Sequence, residues 1–204
     1  VTKETANKIG PHFIECIVAP SFESEALEIL SEKKNRRLLS IAPGLSKLTP
    51  QTSEIVAKQI NGGWLLQTER SPKIDPNLAH IATSIKPSKQ EMAAMKFGMV
   101  VCEQVKSNSV IFVKGTKTIG IGPGQTSRVE AVRIAARRAG EEAKGAVMVS
   151  DAFFPFRDGI DAAKEIGITS IVQPGGSIRD QEVIDAANEH KMSMLFTGVR
   201  LFRH

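Results

Sequence analysis

The apolar positions change period along the chain. From Ser88 to Cys102 they recur as a helix places them. Met92, Met95, Met99 and Cys102 share one face, and Ser88 with Glu91 three residues on forms a capping box. Past Ser107 the period shortens. "SVIFVK" (109–114) and "TIGIG" (118–122) read as strands joined by a turn around Gly115. "GIGPGQTSR" then opens a helix with Val129, Val132, Ala136 and Ala139 on its apolar face. "AVMVS" (146–150) predicts a short strand, and a helix runs from about Gly159 to Glu165 and stops at Gly167. "SIVQ" (170–173) predicts a strand, "PGGS" a turn, 180–190 a helix and "MSMLFT" (192–197) a last strand. Strands alternating with helices imply α/β layers around a largely parallel sheet.

The N-terminal part echoes this pattern. "IVAPSFESEALEILSEKKNRRLLSI" (17–41) parallels "IVQPGGSIRDQEVIDAANEHKMSMLFT" (171–197). Each holds a strand I-V-x-P, a turn, a helix with an acid near its start and an apolar strand. Such α/β patterns also arise by chance. If the echo is a duplication, residues 1–41 are the tail of a first copy whose earlier part, matching 108–168, lies outside this chain. "GGWLLQTERSP" (62–72) predicts a strand and an irregular link, with Ser71-Pro72, Asp75-Pro76 and Lys86-Pro87 marking loops.

Composition sharpens the picture at one place. The chain has 204 residues, 41% hydrophobic and 24% charged, enough for a buried core. Aromatic residues are only 5%, yet "SDAFFPFRDG" (150–159) gathers Phe153, Phe154 and Phe156 around Pro155. Pro155 forbids a helix interior and disfavours a central strand, so the rings sit on a loop. Two readings stand. Exposed rings can stack on a flat heterocycle while Asp158 hydrogen-bonds its aminopyrimidine-type edge, or the rings fold inward as extra core.

Gly120, Gly122 and Gly124 match neither the GxGxxG fingerprint nor a Walker loop. Between a strand and a helix start they allow a backbone anion cradle with Arg128 as a bidentate fork; a tight turn with a solvated Arg is the alternative. Asn108 ends "KSN" as a ligand-reading amide or as a turn residue. His12, His80, His190 and His204 lack metal spacing, so no zinc is expected, and no nucleophile elbow occurs. The net charge of +5 is scattered, as solvated faces or as attraction to anionic ligands. Without a dense basic stripe it argues against nucleic acid. Cys16 and Cys102 read as buried thiols of a reducing compartment. With no signal-peptide pattern and no apolar run of roughly 18 residues, a soluble cytoplasmic protein with no membrane partner is expected.

"KSNS", "TIGIGPGQTSRVEAVRIA", "SDAFFPFRDGIDAA", "QPGGSIRD" and "RLFRH", with "IVAPSFESEALEILSEKKN" and "GGWLLQ", give the chain a resemblance along nearly its whole length. It resembles the transformylase part of the aminoimidazole carboxamide ribonucleotide (AICAR) transformylase/IMP cyclohydrolase family. The resemblance implies duplicated α/β subdomains of cytidine-deaminase-like fold. Residues 1–85 are then the end of the first with its link, and 86–204 the complete second. It implies a formyltransferase of purine (IMP) biosynthesis, moving a formyl group from 10-formyltetrahydrofolate to the 5-amino group of AICAR. Deaminase chemistry does not follow, because zinc ligands are missing.

Carried over position by position, the resemblance makes Asn108 an AICAR-binding and catalytic residue and Arg128 and Arg200 AICAR-binding. Phe153, Asp158, Val129, Ser177 and Ile178 become folate contacts. Asp151 with the Leu201 carbonyl resembles a potassium-binding cluster. A homodimer is implied, with an upstream transformylase segment and an IMP cyclohydrolase domain as partners. One departure matters. The family promotes proton transfer with a Lys-His dipeptide in the first subdomain. This chain has no Lys-His, and by the repeat Ser107 and Asn108 occupy that place in the second copy. The chain is expected to supply Asn108, Arg128, Arg200 and the folate wall, with Lys-His provided elsewhere. The alternative is a non-catalytic substrate-binding or dimerisation portion.

Overall fold

A computed structural model describes residues 1–41, 55–68 and 79–203. The chain divides into two compact units, Val1–Arg70 and Ser71–His204. The first carries α1 (Lys3–Ile9), β1 (Cys16–Ala19), α2 (Ser24–Ser31) and β2 (Arg37–Ser40), then a hairpin of β3 (Ile55–Ile60) and β4 (Gly63–Thr68). β1 and β2 pair in parallel, Ile17 opposite Leu38 and Val18 opposite Leu39. The pleat sends Ile17 and Leu38 against buried Ala6, Ala26 and Leu30. Val18 and Leu39 remain 55% and 51% exposed. Cys16 is exposed too, which corrects its reading as a buried thiol: it opens a strand of a two-stranded sheet with little to cover it. The dipeptides Ser71-Pro72 and Asp75-Pro76 lie outside the described residues.

The second unit follows its predicted elements closely. An unpredicted strand, β5 (His80–Ile81), comes first; the predicted elements are α3 (Lys89–Cys102), β6 (Val110–Lys114), β7 (Lys117–Gly122), α4 (Arg128–Ala139), β8 (Val147–Ser150), α5 (Asp158–Ile166), β9 (Ser170–Gln173), α6 (Asp180–Glu189) and β10 (Ser193–Phe196). The Ser88–Glu91 capping box starts α3. Gly167, left-handed at φ 93°, ends α5. The strands form one sheet in the order β5-β10-β9-β8-β6-β7. β5 lies before residue 86 yet belongs to this sheet.

The sheet is mixed rather than largely parallel. β8, β9 and β10 run parallel, while β6 is antiparallel to β7 and β8, and β5 to β10. The tight turn at Gly115 reverses the chain, which a periodic pattern does not disclose. Alternation splits the core. Val110, Phe112, Met148, Ile171 and Met194 pack with residues of α4, α5 and α6. Ile111, Val113, Val147, Val149, Val172 and Leu195 pack with Met95, Met99 and Cys102 of α3. Burying each large side chain contributes about 1.5–3 kcal/mol.

Two of the alternating glycines serve packing, not an anion cradle. A Cβ on Gly120 would stand 2.1 Å from the Ala135 carbonyl oxygen, and one on Gly122 2.0 Å from that of Ala131. Both lie inside β7, where α4 presses its backbone on the strand. α4 buries Ala131, Val132, Ala135 and Ala139, and Val129 turns to the cleft described below. Gly122→Ala is expected to cost about 2–3 kcal/mol through backbone overpacking. Gly124→Ala, at φ 63° with open space around it, should cost only about 1 kcal/mol. Urea unfolding of the two variants checks the ranking.

Candidate functional site

The carboxyl ends of β8, β9 and β10 share one end of the sheet. The start of β6 and the end of β7 join them there, since Val110 pairs with both Ser150 and Gly122. A cleft of about 360 Å³ opens at this end. Its lining comes from Asn108, from the α4 start at Thr126, Ser127, Arg128 and Val129, from the Phe loop, and from Arg200 and Phe202. Space beyond the carboxyl ends of strands is where open α/β sheets take ligands.

Arg128 anchors one wall. Its Nη1 donates to Ser150 Oγ (3.0 Å) and to the Asp151 carboxylate, and its Nη2 to Asn108 Oδ1 (3.0 Å). The side chains are 8% and 0% exposed, for Arg128 and Asp151. Asp151 Oδ2 also accepts from the Ser109 amide (3.0 Å), and its backbone carbonyl accepts from Leu201 N (2.8 Å). Asn108 donates Nδ2 to the Gln125 carbonyl (2.9 Å). Arg128 is therefore neither a solvated residue nor an uncommitted phosphate fork. It orients Asn108 and balances a buried acid. Asp151 has one carboxylate oxygen on Arg128 and the other on a backbone amide, beside a fixed positive charge. That donor set does not fit a potassium ion. Among the described residues no group of three His, Cys, Asp or Glu is placed to hold a metal.

Another part of the lining is aromatic, and the three rings of the Phe loop divide. Phe154 is 1% exposed and joins the core, its amide donating to Gln173 Oε1 (2.8 Å). Gly159 makes room for it: a Cβ there would stand 2.4 Å from the ring. Phe153 and Phe156 line the cleft instead. Arg200 lies over Phe153 at 5.2 Å and over Phe202 at 5.9 Å. Asp158 is exposed on the lining and accepts from the Gly159 amide (2.7 Å).

Ser177 and Ile178 are at the same end of the sheet, on the loop after β9, but off this lining. Asp180 accepts from the Gly176 and Ser177 amides (2.6 and 3.1 Å), and Ile178 is fully exposed. Neighbouring Arg179 reaches back over Phe156 at 4.8 Å. Sequence reasoning misses Gln173, Arg179 and Phe202. Only Gln173 left a signal, as the polar end of an apolar strand. Cys102 lies behind Asn108, its Sγ 3.7 Å from Ser109 Oγ. Burial pushes its thiol up to about 12, so it stays protonated and unreactive.

Fold and cleft define the class: an α/β protein with a ring-walled, guanidinium-edged cleft at its strand ends. The family model described as AICARFT/IMPCHase bienzyme matches residues 1–138. A relative from Acetivibrio thermocellus, "Bifunctional purine biosynthesis protein PurH", is 46% identical over 204 residues, all of this chain and 39% of its own length. One of the same name from Myxococcus xanthus is 45% identical over 208 residues, covering 100% of this chain and 40% of its own. The chain belongs to the AICARFT/IMPCHase bienzyme family. It spans about two-fifths of the length of these relatives. The solved structure "Acinetobacter baumannii RibD, form 2" aligns with a TM-score of 0.37 and 16% identity over 53% of this chain and 33% of that one, too slight a likeness to argue from. Among the described residues no helix is long and apolar enough to cross a membrane.

Two outcomes follow from these charges. Asp151→Ala strands a buried guanidinium and should cost about 3–5 kcal/mol in urea unfolding, most of it recovered by Arg128→Met with Asp151→Leu. Behind the Phe loop, Arg157 and then His190 hold the Asp161 carboxyl down to about 2. A depressed carboxyl stabilises fully above its ordinary value and loses that contribution as acid titrates it. The Tm difference between wild type and Asp161→Asn should therefore shrink from about pH 5 to about pH 2.

Proposed function

We propose that this chain is the AICAR- and folate-binding portion of a formyltransferase of purine (IMP) biosynthesis. One observation carries the reading: Asn108, Arg128 and Arg200 line the same cleft as Val129, Phe153 and Asp158. A flat pterin needs apolar faces and an acceptor for its amino group. Phe153, Phe156 and Phe202 supply the first and Asp158 the second. The relatives' name, purine biosynthesis protein, supports the same substrate class.

10-Formyltetrahydrofolate supplies the formyl group when bound. Asn108, with one Nδ2 hydrogen on Gln125 and its oxygen on Arg128, keeps a second hydrogen to donate near the reacting centre. Arg200 offers its guanidinium edge to the nucleotide while its face rests on two rings. The attacking amine must also lose a proton. Among the described residues no histidine lines the cleft, so in this reading the Lys-His of an upstream transformylase segment takes it.

The duplicated, cytidine-deaminase-like architecture belongs to the same proposal. β1-α2-β2 and β9-α6-β10 repeat one another in order, parallel pairing and register, Val18 opposite Leu39 and Val172 opposite Leu195. A cytoplasmic homodimer, with the IMP cyclohydrolase domain in the same polypeptide, completes it. The missing histidine equally favours a portion that binds without turning over. The test is formyl transfer from 10-formyltetrahydrofolate to AICAR by this chain alone and mixed with the upstream half. Activity only in the mixture is expected. Activity of the chain alone would overturn the Lys-His assignment. Phe153→Ala and Asp158→Asn should each weaken tetrahydrofolate binding about tenfold; unchanged affinity would overturn the folate wall.

A further inference from the structure

Phe156 and Asp158 stand on the cleft, but the residue between them does not. Arg157 turns its guanidinium toward α5 and α6. Nε donates to Asp161 Oδ2 (2.9 Å), and Nη2 donates to Asp161 Oδ1 (3.0 Å) and Glu189 Oε2 (3.0 Å). The Arg157 backbone N–H donates to Glu182 Oε1 (3.3 Å). The other Glu182 oxygen accepts from Arg179 (3.4 Å), the same Arg179 that covers the Phe156 ring. His190 Nε2 meets Asp161 Oδ1 at 2.6 Å.

An isolated exposed ion pair contributes little, because ordering two long side chains offsets the attraction. Here a bidentate fork and shared partners let one ordered guanidinium serve three bonds. The network reaches from the first turn of α5 to both ends of α6, whose own side chains stay off the cleft lining. Pro155 fixes the backbone on the near side. The backbone that carries Phe156 and Asp158 cannot shift far without breaking an Arg157 bond to Asp161, Glu182 or Glu189.

We propose that Arg157, clamped to Asp161, Glu182 and Glu189, is a positioning residue that holds Phe156 and Asp158 where a reduced folate's heterocycle meets them. The proposal rests on the folate reading of the cleft. It predicts a selective effect, because the Asn108–Arg128–Asp151 wall is held by different bonds. Loosening the clamp disturbs the ring wall and leaves the nucleotide wall standing.

The test titrates the full chain with tetrahydrofolate and, separately, with AICAR. Arg157→Ala is expected to raise the tetrahydrofolate Kd about tenfold and the AICAR Kd less than about twofold. Glu189→Gln removes the charge from one exposed contact, preserves folding and should raise the tetrahydrofolate Kd about threefold. Arg157→Lys keeps the charge without the fork and should fall between wild type and Arg157→Ala. If Phe153→Ala weakens tetrahydrofolate while Arg157→Ala and Glu189→Gln do not, the clamp is overturned and the folate reading stands. Parallel loss of both ligands would mean a general structural role and overturn it too. A wild-type chain that binds AICAR but no tetrahydrofolate would overturn the folate reading and the clamp together.

Discussion

The cleft depends on one buried ion pair. Arg128 and Asp151 come from the start of α4 and the end of β8, and neither side chain has appreciable solvent contact. Removing two charges from water costs several kcal/mol per ion, and only near-complete hydrogen bonding offsets it. The structure meets that demand with Ser150, the Ser109 amide and the Asn108 amide. Those partners lie on two segments far apart in sequence, residues 108–109 and the end of β8, and Arg128 itself lies on a third. Satisfying the pair therefore pins Asn108, sets the start of β6 and fixes where the Phe loop leaves the sheet. The residue best placed to act on a ligand is held by the residues that cannot be exposed.

The Phe loop obeys a complementary constraint. A loop of three rings cannot present all of them to water and stay in one place. Phe154 turns inward, held at its amide by buried Gln173 and given room by Gly159. That internal ring acts as a rivet, and the rings on either side stay outward. Cations stack on both, Arg200 over Phe153 and Arg179 over Phe156, while Phe156 stays 48% exposed. The rings thus keep an apolar face toward the cleft with a guanidinium beside each.

Most elements of the second unit were legible because their signals are local. The Ser88 capping box, the stop at Gly167 and the apolar run 170–173 each declare themselves within a few residues. Strand direction was not legible, since it is set by turns and returns rather than by side-chain period. β3 escaped because "IVAKQI" carries a lysine and a glutamine, although Asn61-Gly62, which turns it into β4, is a hairpin signal. The glycines at 120 and 122 misled, because a helix pressed on a strand and an anion cradle ask for the same residue. The resemblance picked out Asn108, Arg128, Val129, Phe153, Asp158 and Arg200, which line the cleft, but not the partners that hold them. Nothing local in "SRVEAV" says that Arg128 reaches a carboxylate more than twenty residues away. Asp151, expected at a metal, is for the same reason a counter-ion.

The two walls of the cleft are thus held by different bonds, although they meet where Arg128 lies 6.0 Å over the Phe154 ring. One rests on a buried pair whose loss would be felt by the whole second unit. The other rests on exposed pairs and ring stacking around Arg157 and Arg179, individually weak and jointly restrictive. A nucleotide that must be held at a fixed reacting atom suits the first kind of wall. A bulky planar cosubstrate that must enter and leave suits the second, because surface networks open at lower free energy than buried ones. In the proposed reading this asymmetry is functional: the wall that positions the amine is rigid by burial, and the wall that admits the formyl donor is ordered only as far as its clamp orders it.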